Sequence, residues 1–154
     1  MPVQTARLTK FLSLIHFPDK LPMNPQSAPL SAAAREVIDT SQWFSIATTG
    51  PEGPRLAACW TRNILKLGYL DEEIVVPVWR LEHTEANLCH DPRIELLFVS
   101  PSVRREKGEA QGLSVMGTGA VHRDGPRAGQ VRAALEWPAG ALVVTITGWR
   151  FHLP

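Results

Sequence analysis

The chain has 154 residues, enough for one domain with its own apolar core. Its 16 basic and 15 acidic residues leave a formal charge of +1, which offers no cationic field to nucleic acid or to an anionic membrane surface. Only Cys59 and Cys89 carry thiols, too few for a disulfide scaffold, so a reducing, cytoplasmic setting is expected.

Phe11 to Phe17 is apolar but broken by Ser13 and His16, far short of the roughly 20 residues that span a bilayer. Arg7, Lys10 and the small residues Ser31 to Ala34 sketch a secretion leader, but Pro-rich sequence intervenes and no leader is expected. Prolines at 18, 22, 25 and 29 fix the backbone and remove donors, so residues 1–30 are read as an irregular arm and 31–154 as the folded domain.

Ser31 is the expected N-cap of a helix through Ile38 that ends near Thr40. Phe44 to Thr49 and Arg55 to Arg62 read as strands joined by the turn Gly50-Pro51-Glu52-Gly53-Pro54. Ile74 to Trp79 is the next strand, Thr84 to His90 a short helix stopped by Asp91-Pro92, and Arg93 to Val99 a strand again. A charged loop with Arg104 and Arg105 precedes a strand from Leu113 to Val121. Pro126 to Glu136 is expected to be helical, with Val131, Ala134 and Leu135 on one face, and Ala141 to Phe151 closes the series. About six strands with few helices indicate an antiparallel barrel, because a doubly wound sheet needs a long crossover between most strands.

Two stretches carry groups suited to a ligand. Where the strand from Ile74 hands over to the helix, unpaired N–H groups are expected just before Thr84, and an anion would sit there. Thr84 can cap that helix while His83 adds a proton-dependent charge; the same pair also reads as a plain threonine cap beside a solvated histidine. Pro54 to Asn63 sets hydrogen-bonding groups and a cation along one strand, suited to a flat polar ring. It reads equally as a strand whose Ala and Trp residues pack while Thr61 and Arg62 face water.

Taken in order, Gly53-Pro54, Trp60, Val75-Val76-Pro77-Val78, His83-Thr84-Glu85-Ala86-Asn87, Asp124-Gly125-Pro126, Trp137 and Ala141-Leu142-Val143 resemble the FMN-binding split β-barrel superfamily, which includes the pyridoxamine 5'-phosphate oxidases. The pattern is most similar to the small stand-alone FMN-binding proteins of sulfate-reducing bacteria, over about residues 35 to 146. The resemblance implies a mainly β fold, a six-stranded antiparallel split β-barrel with short connecting helices. It also implies FMN as cofactor, in a homodimer with the flavin site at the subunit interface. Ala58, Cys59, Trp60, Thr61 and Arg62 would follow the flavin and its ribityl chain, with Pro77 and Val78 in the same pocket. His83 and Thr84 would hold the phosphate, and Trp137 of the partner subunit would reach the ring.

The chain departs from that pattern in three places. Relatives have Lys at His83, so phosphate affinity is expected to fall as pH rises through the imidazole range. They have Asn and Thr at Ala58 and Cys59, and two glycines where Trp79 and Arg80 add bulk and a cation.

The expected function is electron transfer or flavin-dependent oxidoreduction with an unidentified redox partner or small-molecule substrate; no catalytic residue is assigned. The alternative is a non-catalytic module that binds flavin or haem, or only dimerises. Pyridoxamine 5'-phosphate oxidation is disfavoured, because Glu82-His83-Thr84 falls where that enzyme carries a Ser-Arg-Lys run and Ala57 where it carries Arg. Cys59 is read as a buried, inert thiol, and Cys89, His83 and His90 lack a fourth ligand, so no metal site is expected. Trp149, Phe151 and His152 either cover a flavin across the dimer or simply complete the last strand.

Overall fold

A computed structural model describes residues 25–103, 108 and 110–152. In chain order the elements are β1 (Gln26–Ser27), α1 (Ala32–Thr40), β2 (Trp43–Gly50), β3 (Gly53–Trp60), α2 (Thr61–Leu67) and β4 (Glu73–Val78). There follow α3 (Glu82–His90), β5 (Arg93–Ser100), β6 (Gln111–His122), α4 (Gly125–Ala134) and β7 (Gly140–Phe151).

All strand pairs are antiparallel, in the order β1-β7-β6-β5-β2-β3, with β4 also on β7. The strand β7 is the hub. One of its edges carries β6, while the other carries β4 along Gly140 to Thr145 and β1 at Gly148 and Trp149. The sheet is therefore seven-stranded where six strands were expected, the addition being β1, and it curls without closing. Strand β3 ends the order on one side and β4 stands at the opposite edge, with no pairing between them. The expected fold, a split antiparallel β-barrel with short connecting helices, is the one observed.

Alternation along the strands sets the core. In β2 and β5, Phe44, Ile46, Leu96 and Phe98 turn inward and are buried, and Phe44 stacks on Phe98 at 5.0 Å between centroids. Helix α1 covers this core with Ala34, Val37 and Ile38, the spacing of one helical face. Its N-cap is Ser31, as expected, accepting from the Ala34 N–H at 3.2 Å.

The opposite face of β2, β3 and β5 is apolar but uncovered. Registers Trp43↔Trp60, Ala47↔Leu56 and Ser45↔Leu97 put Trp43, Leu56, Trp60, Leu97 and Val99 on one side of the sheet. Leu56 is 78%, Trp60 53% and Trp43 50% exposed.

Several boundaries differ from expectation for local reasons. Strand β3 stops at Trp60, so Thr61 and Arg62 open α2 instead of extending the strand. Thr61 turns inward, its N–H donating to Gln42 O at 3.0 Å and its hydroxyl 3.1 Å from the Ser41 hydroxyl. With Ile64 also buried, one apolar turn forms, and Gly68 at φ 73° ends it.

Helix α3 begins at Glu82, because the Glu85 N–H reaches Leu81 O at 2.8 Å. Thr84 is therefore its third residue and not its cap, and its side chain is buried. Helix α4 likewise ends at Ala134, short of Glu136, since Leu135 is already extended. The chain also joins the sheet before Ser31: Gln26–Ser27 pairs with β7, Leu30 is buried, and the Trp149 indole N–H donates to Pro29 O at 3.1 Å. Residues 1–24 of the expected arm, and Arg104 and Arg105 of the charged loop, lie outside the described residues.

The register of β6 against β7 shifts between Met116 and Gly117, a bulge that steers β7 towards β4. A Cβ on Gly117 would overlap the Thr145 carbonyl oxygen, main chain that cannot step aside. Gly117→Ala should lower stability by about 1–3 kcal/mol, read from the urea midpoint at unchanged m.

Candidate functional site

The seam between β3 and β4 opens into a cavity of about 250 Å³. Ala58, Cys59 and Trp60 form one wall and Val76, Pro77 and Val78 the other. Trp79, Arg80 and Leu81, the link from β4 to α3, close one end, while Asn63 of α2 and Trp137 complete the lining.

Each wall follows from local sequence. Strand β3 pairs with β2 only, so every second main-chain N–H and C=O of Ala58 to Trp60 points away from the sheet and is open to a ligand. Strand β4 is buried throughout from Ile74 to Val78, and Pro77, which lacks a donor, lies in it opposite Ala141. Trp137 arrives because the turn after α4 returns to β4, the Ala139 N–H donating to Val78 O at 2.8 Å.

Charge around the cavity is uneven. The lining includes Arg80 and no carboxylate, and the Arg62 guanidinium stacks over the Trp60 ring at 5.2 Å. At the first turn of α3, Glu82 and Glu85 gather, and Arg123 binds the Glu85 carboxylate and the Trp79 carbonyl. That hydrogen bond to Glu85 holds the Arg123 guanidinium above its ordinary range. The amides of Glu82, His83 and Thr84 have no intrahelical acceptor and lie next to Leu81, at the end of the cavity. Burial pushes the Cys59 thiol up to about 11, so the neutral form predominates in the folded chain at neutral pH.

Of the residues expected to form one site, the fold brings Ala58, Cys59, Trp60, Pro77, Val78 and Trp137 together. Trp137 borders the cavity of its own protomer. Thr61 is turned into the core, Arg62 stands behind Trp60, and neither His83 nor Thr84 touches the lining. His83 is exposed. Asn63, Val76 and Leu81 also line the cavity though none was assigned to the cofactor: Asn63 ends the stretch suited to a flat ring but stands on a helix, and Val76 lies in a continuous apolar run.

Asn87, part of the motif His83 to Asn87, packs under the sheet and donates to the Thr48 hydroxyl at 3.2 Å, so it locks α3 onto β2. The final segment completes the sheet. Trp149 and Phe151 make an edge contact at 5.3 Å, and His152 Nε2 lies 2.6 Å from the Ser114 hydroxyl, which also donates to Glu95. Ser114 is thus the middle member of that trio, whereas a nucleophile relay needs the imidazole in the middle.

A family model described as pyridoxamine 5'-phosphate oxidase matches residues 30–152. The FMN-binding protein of Nitratidesulfovibrio vulgaris (strain DSM 19637 / Miyazaki F) is 33% identical over 111 residues, which cover 72% of this chain and 88% of that one. Among solved structures, an FMN-binding protein from Syntrophomonas wolfei aligns with a TM-score of 0.55 at 14% identity, over 78% of this chain and 88% of its own. A heme binding protein from Mycobacterium smegmatis aligns with a TM-score of 0.54 at 22% identity, over 81% of this chain and 55% of its own. At these identities the two structures establish the fold alone.

Neither cysteine is in a disulfide, Cys59 being half-buried and Cys89 exposed. With iodoacetamide at pH 8, Cys89 should be alkylated first and Cys59 at least about tenfold more slowly, as followed by peptide mass spectrometry. Equal rates would contradict the buried, neutral thiol.

Proposed function

This chain belongs to the pyridoxamine 5'-phosphate oxidase family, and from that premise we propose a homodimeric FMN flavoprotein that passes electrons between a donor and an acceptor. The observation that carries the reading is the cavity in the β3–β4 seam, lined by six of the residues that the sequence pattern assigns to FMN.

The donor set suits the group. A flavin needs an apolar slot for its rings, main-chain partners for its polar edge and an anion seat for its phosphate. Val76, Pro77 and Val78 with the indoles of Trp60 and Trp137 supply the slot. The free edge of Ala58 to Trp60 supplies the partners, which offsets the loss of side-chain donors at Ala58 and Cys59. The amides at the start of α3 supply the seat, His83 and Thr84 contributing through main-chain N–H. Bound there, FMN would bring hydride and single-electron chemistry. The chain's own part is to orient the ring, shield it from water and, through Arg62, brace Trp60.

Dimerisation is inferred from two features. The apolar face carrying Trp43, Leu56, Trp60, Leu97 and Val99 is a contiguous patch on adjacent strands, of the kind that marks an interface. The cavity, at about 250 Å³, falls below the 300–1,000 Å³ of ordinary ligand sites, so one protomer encloses only part of an FMN. Trp60 belongs to both the face and the cavity, which puts a second protomer beside the flavin.

Family membership does not bring the oxidase activity with it. Glu82-His83-Thr84 and Ala57 lack the basic residues with which that enzyme meets its substrate phosphate, and we infer that pyridoxamine 5'-phosphate is not the substrate. Haem binding is the rival reading. The cavity lining holds no histidine, which favours flavin over an iron porphyrin. Two cysteines without a disulfide support a cytoplasmic setting, and no helix among the described residues is long and apolar enough to cross a membrane.

Titration with FMN should quench flavin fluorescence at one FMN per protomer. A chain that leaves the fluorescence unchanged, or that takes up haem with a Soret band instead, would sink the reading. Trp137→Ala should weaken FMN by about fivefold, the worth of one aromatic contact. Leu56→Asp should shift the sedimentation profile from dimer to monomer and weaken FMN in parallel. A wild-type chain that sediments as a monomer at micromolar concentration would refute the dimer.

A further inference from the structure

We propose that Arg80, and not His83, supplies the fixed positive charge that holds the flavin phosphate; the inference rests on the FMN reading of the cavity and names the residue that anchors its anionic end. The argument begins with how the arginines are used. Among the described residues, Arg35, Arg55, Arg93, Arg123, Arg127 and Arg150 each pair with a carboxylate. Arg132 spans the Arg123 and Ala139 carbonyls, and Arg62 stacks on Trp60. Of these described arginines Arg80 alone has no such partner: it is exposed, forms no ion pair, hydrogen bond or ring contact among the described residues, and borders the cavity.

Its position makes that freedom meaningful. Arg80 is two residues before Glu82 on the link that closes the cavity, beside the open amides of α3. A phosphate dianion approaching this turn meets the carboxylates of Glu82 and Glu85, and Arg123 offsets one of them. Without a further cation the turn keeps a net negative charge and the dipole of a nine-residue helix works against it. His83 carries its charge only when protonated and lies outside the lining. A guanidinium stays charged at every physiological pH and presents several N–H donors to phosphate oxygens in a fixed plane. The anion seat is thus composite, with main-chain N–H groups from α3 and a side-chain cation from the preceding link.

The test compares FMN with riboflavin, the same ring system without the phosphate, using isothermal calorimetry on the full chain. Arg80→Gln should weaken FMN by about tenfold and leave riboflavin unchanged, the riboflavin value showing that the variant is folded. Arg80→Lys should recover most of the loss, and His83→Gln should cost less than threefold. If Arg80→Gln weakens neither ligand, weakens both alike, or is matched by His83→Gln, the assignment to Arg80 is wrong while the flavin reading stands. Failure of the wild-type chain to bind either ligand would remove the flavin reading, and this inference with it.

Discussion

The pairing that β3 and β4 do not make governs the molecule. Strand β3 pairs with β2 and β4 with β7, yet these two face each other across a gap with no ladder between them. A closed barrel would satisfy both edges and leave no free main-chain edge for a ligand. Here the edges stay open, one offering main-chain groups from Ala58 to Trp60 and the other a rigid apolar wall from Val76 to Val78. The connections hold the gap at its width. Helix α2 runs directly from β3 to β4, and the turn after α4 is pinned to Val78.

The second organising feature is the economy of charge at one end of that gap. Acidic residues in the first turn normally favour a helix N-terminus, and Glu82 and Glu85 fit that rule. An anionic ligand at the same spot reverses the preference, so the turn must serve helix stability and ligand charge together. Arg123 resolves part of the conflict by binding Glu85 and the Trp79 carbonyl, which also fixes the course of the link. The side chain of Asn87 completes the clamp from below, through Thr48 of β2. The motif His83 to Asn87 therefore positions the helix as much as it presents groups to a ligand.

Much of this architecture was legible in the residues. Alternation in Phe44 to Thr49, the dense turn at Gly50 to Pro54 and the Ser31 cap gave strands and a helix close to their observed limits. The strand walls of the cavity were legible too, since Ala58 to Trp60 and Pro77-Val78 lie in regular elements. What escaped was set by contacts remote in sequence. Thr61 and Arg62 have strand-like neighbours, but the Ser41 hydroxyl and the Gln42 carbonyl capture Thr61 and start a helix. Gln26 and Ser27 follow a run of prolines, and only the exposed edge of β7 makes them a strand. Thr84 has the residue type of a cap, yet it is buried against the sheet and the helix already starts at Glu82, with Leu81 as its N-cap.

The hub role of β7 has a bearing on how the protein is made. Among the described residues, strands β1 and β4 have no strand partner other than β7, which comes last of the described strands in chain order. The four strands β2, β3, β5 and β6 can pair as they leave the ribosome. The walls of the seam can meet only after translation has passed residue 151, once Gly140 to Phe151 has threaded between the earlier pieces. Until then Val75, Val76 and Val78 stand uncovered on the nascent chain, an aggregation hazard for which a chaperone is the natural remedy.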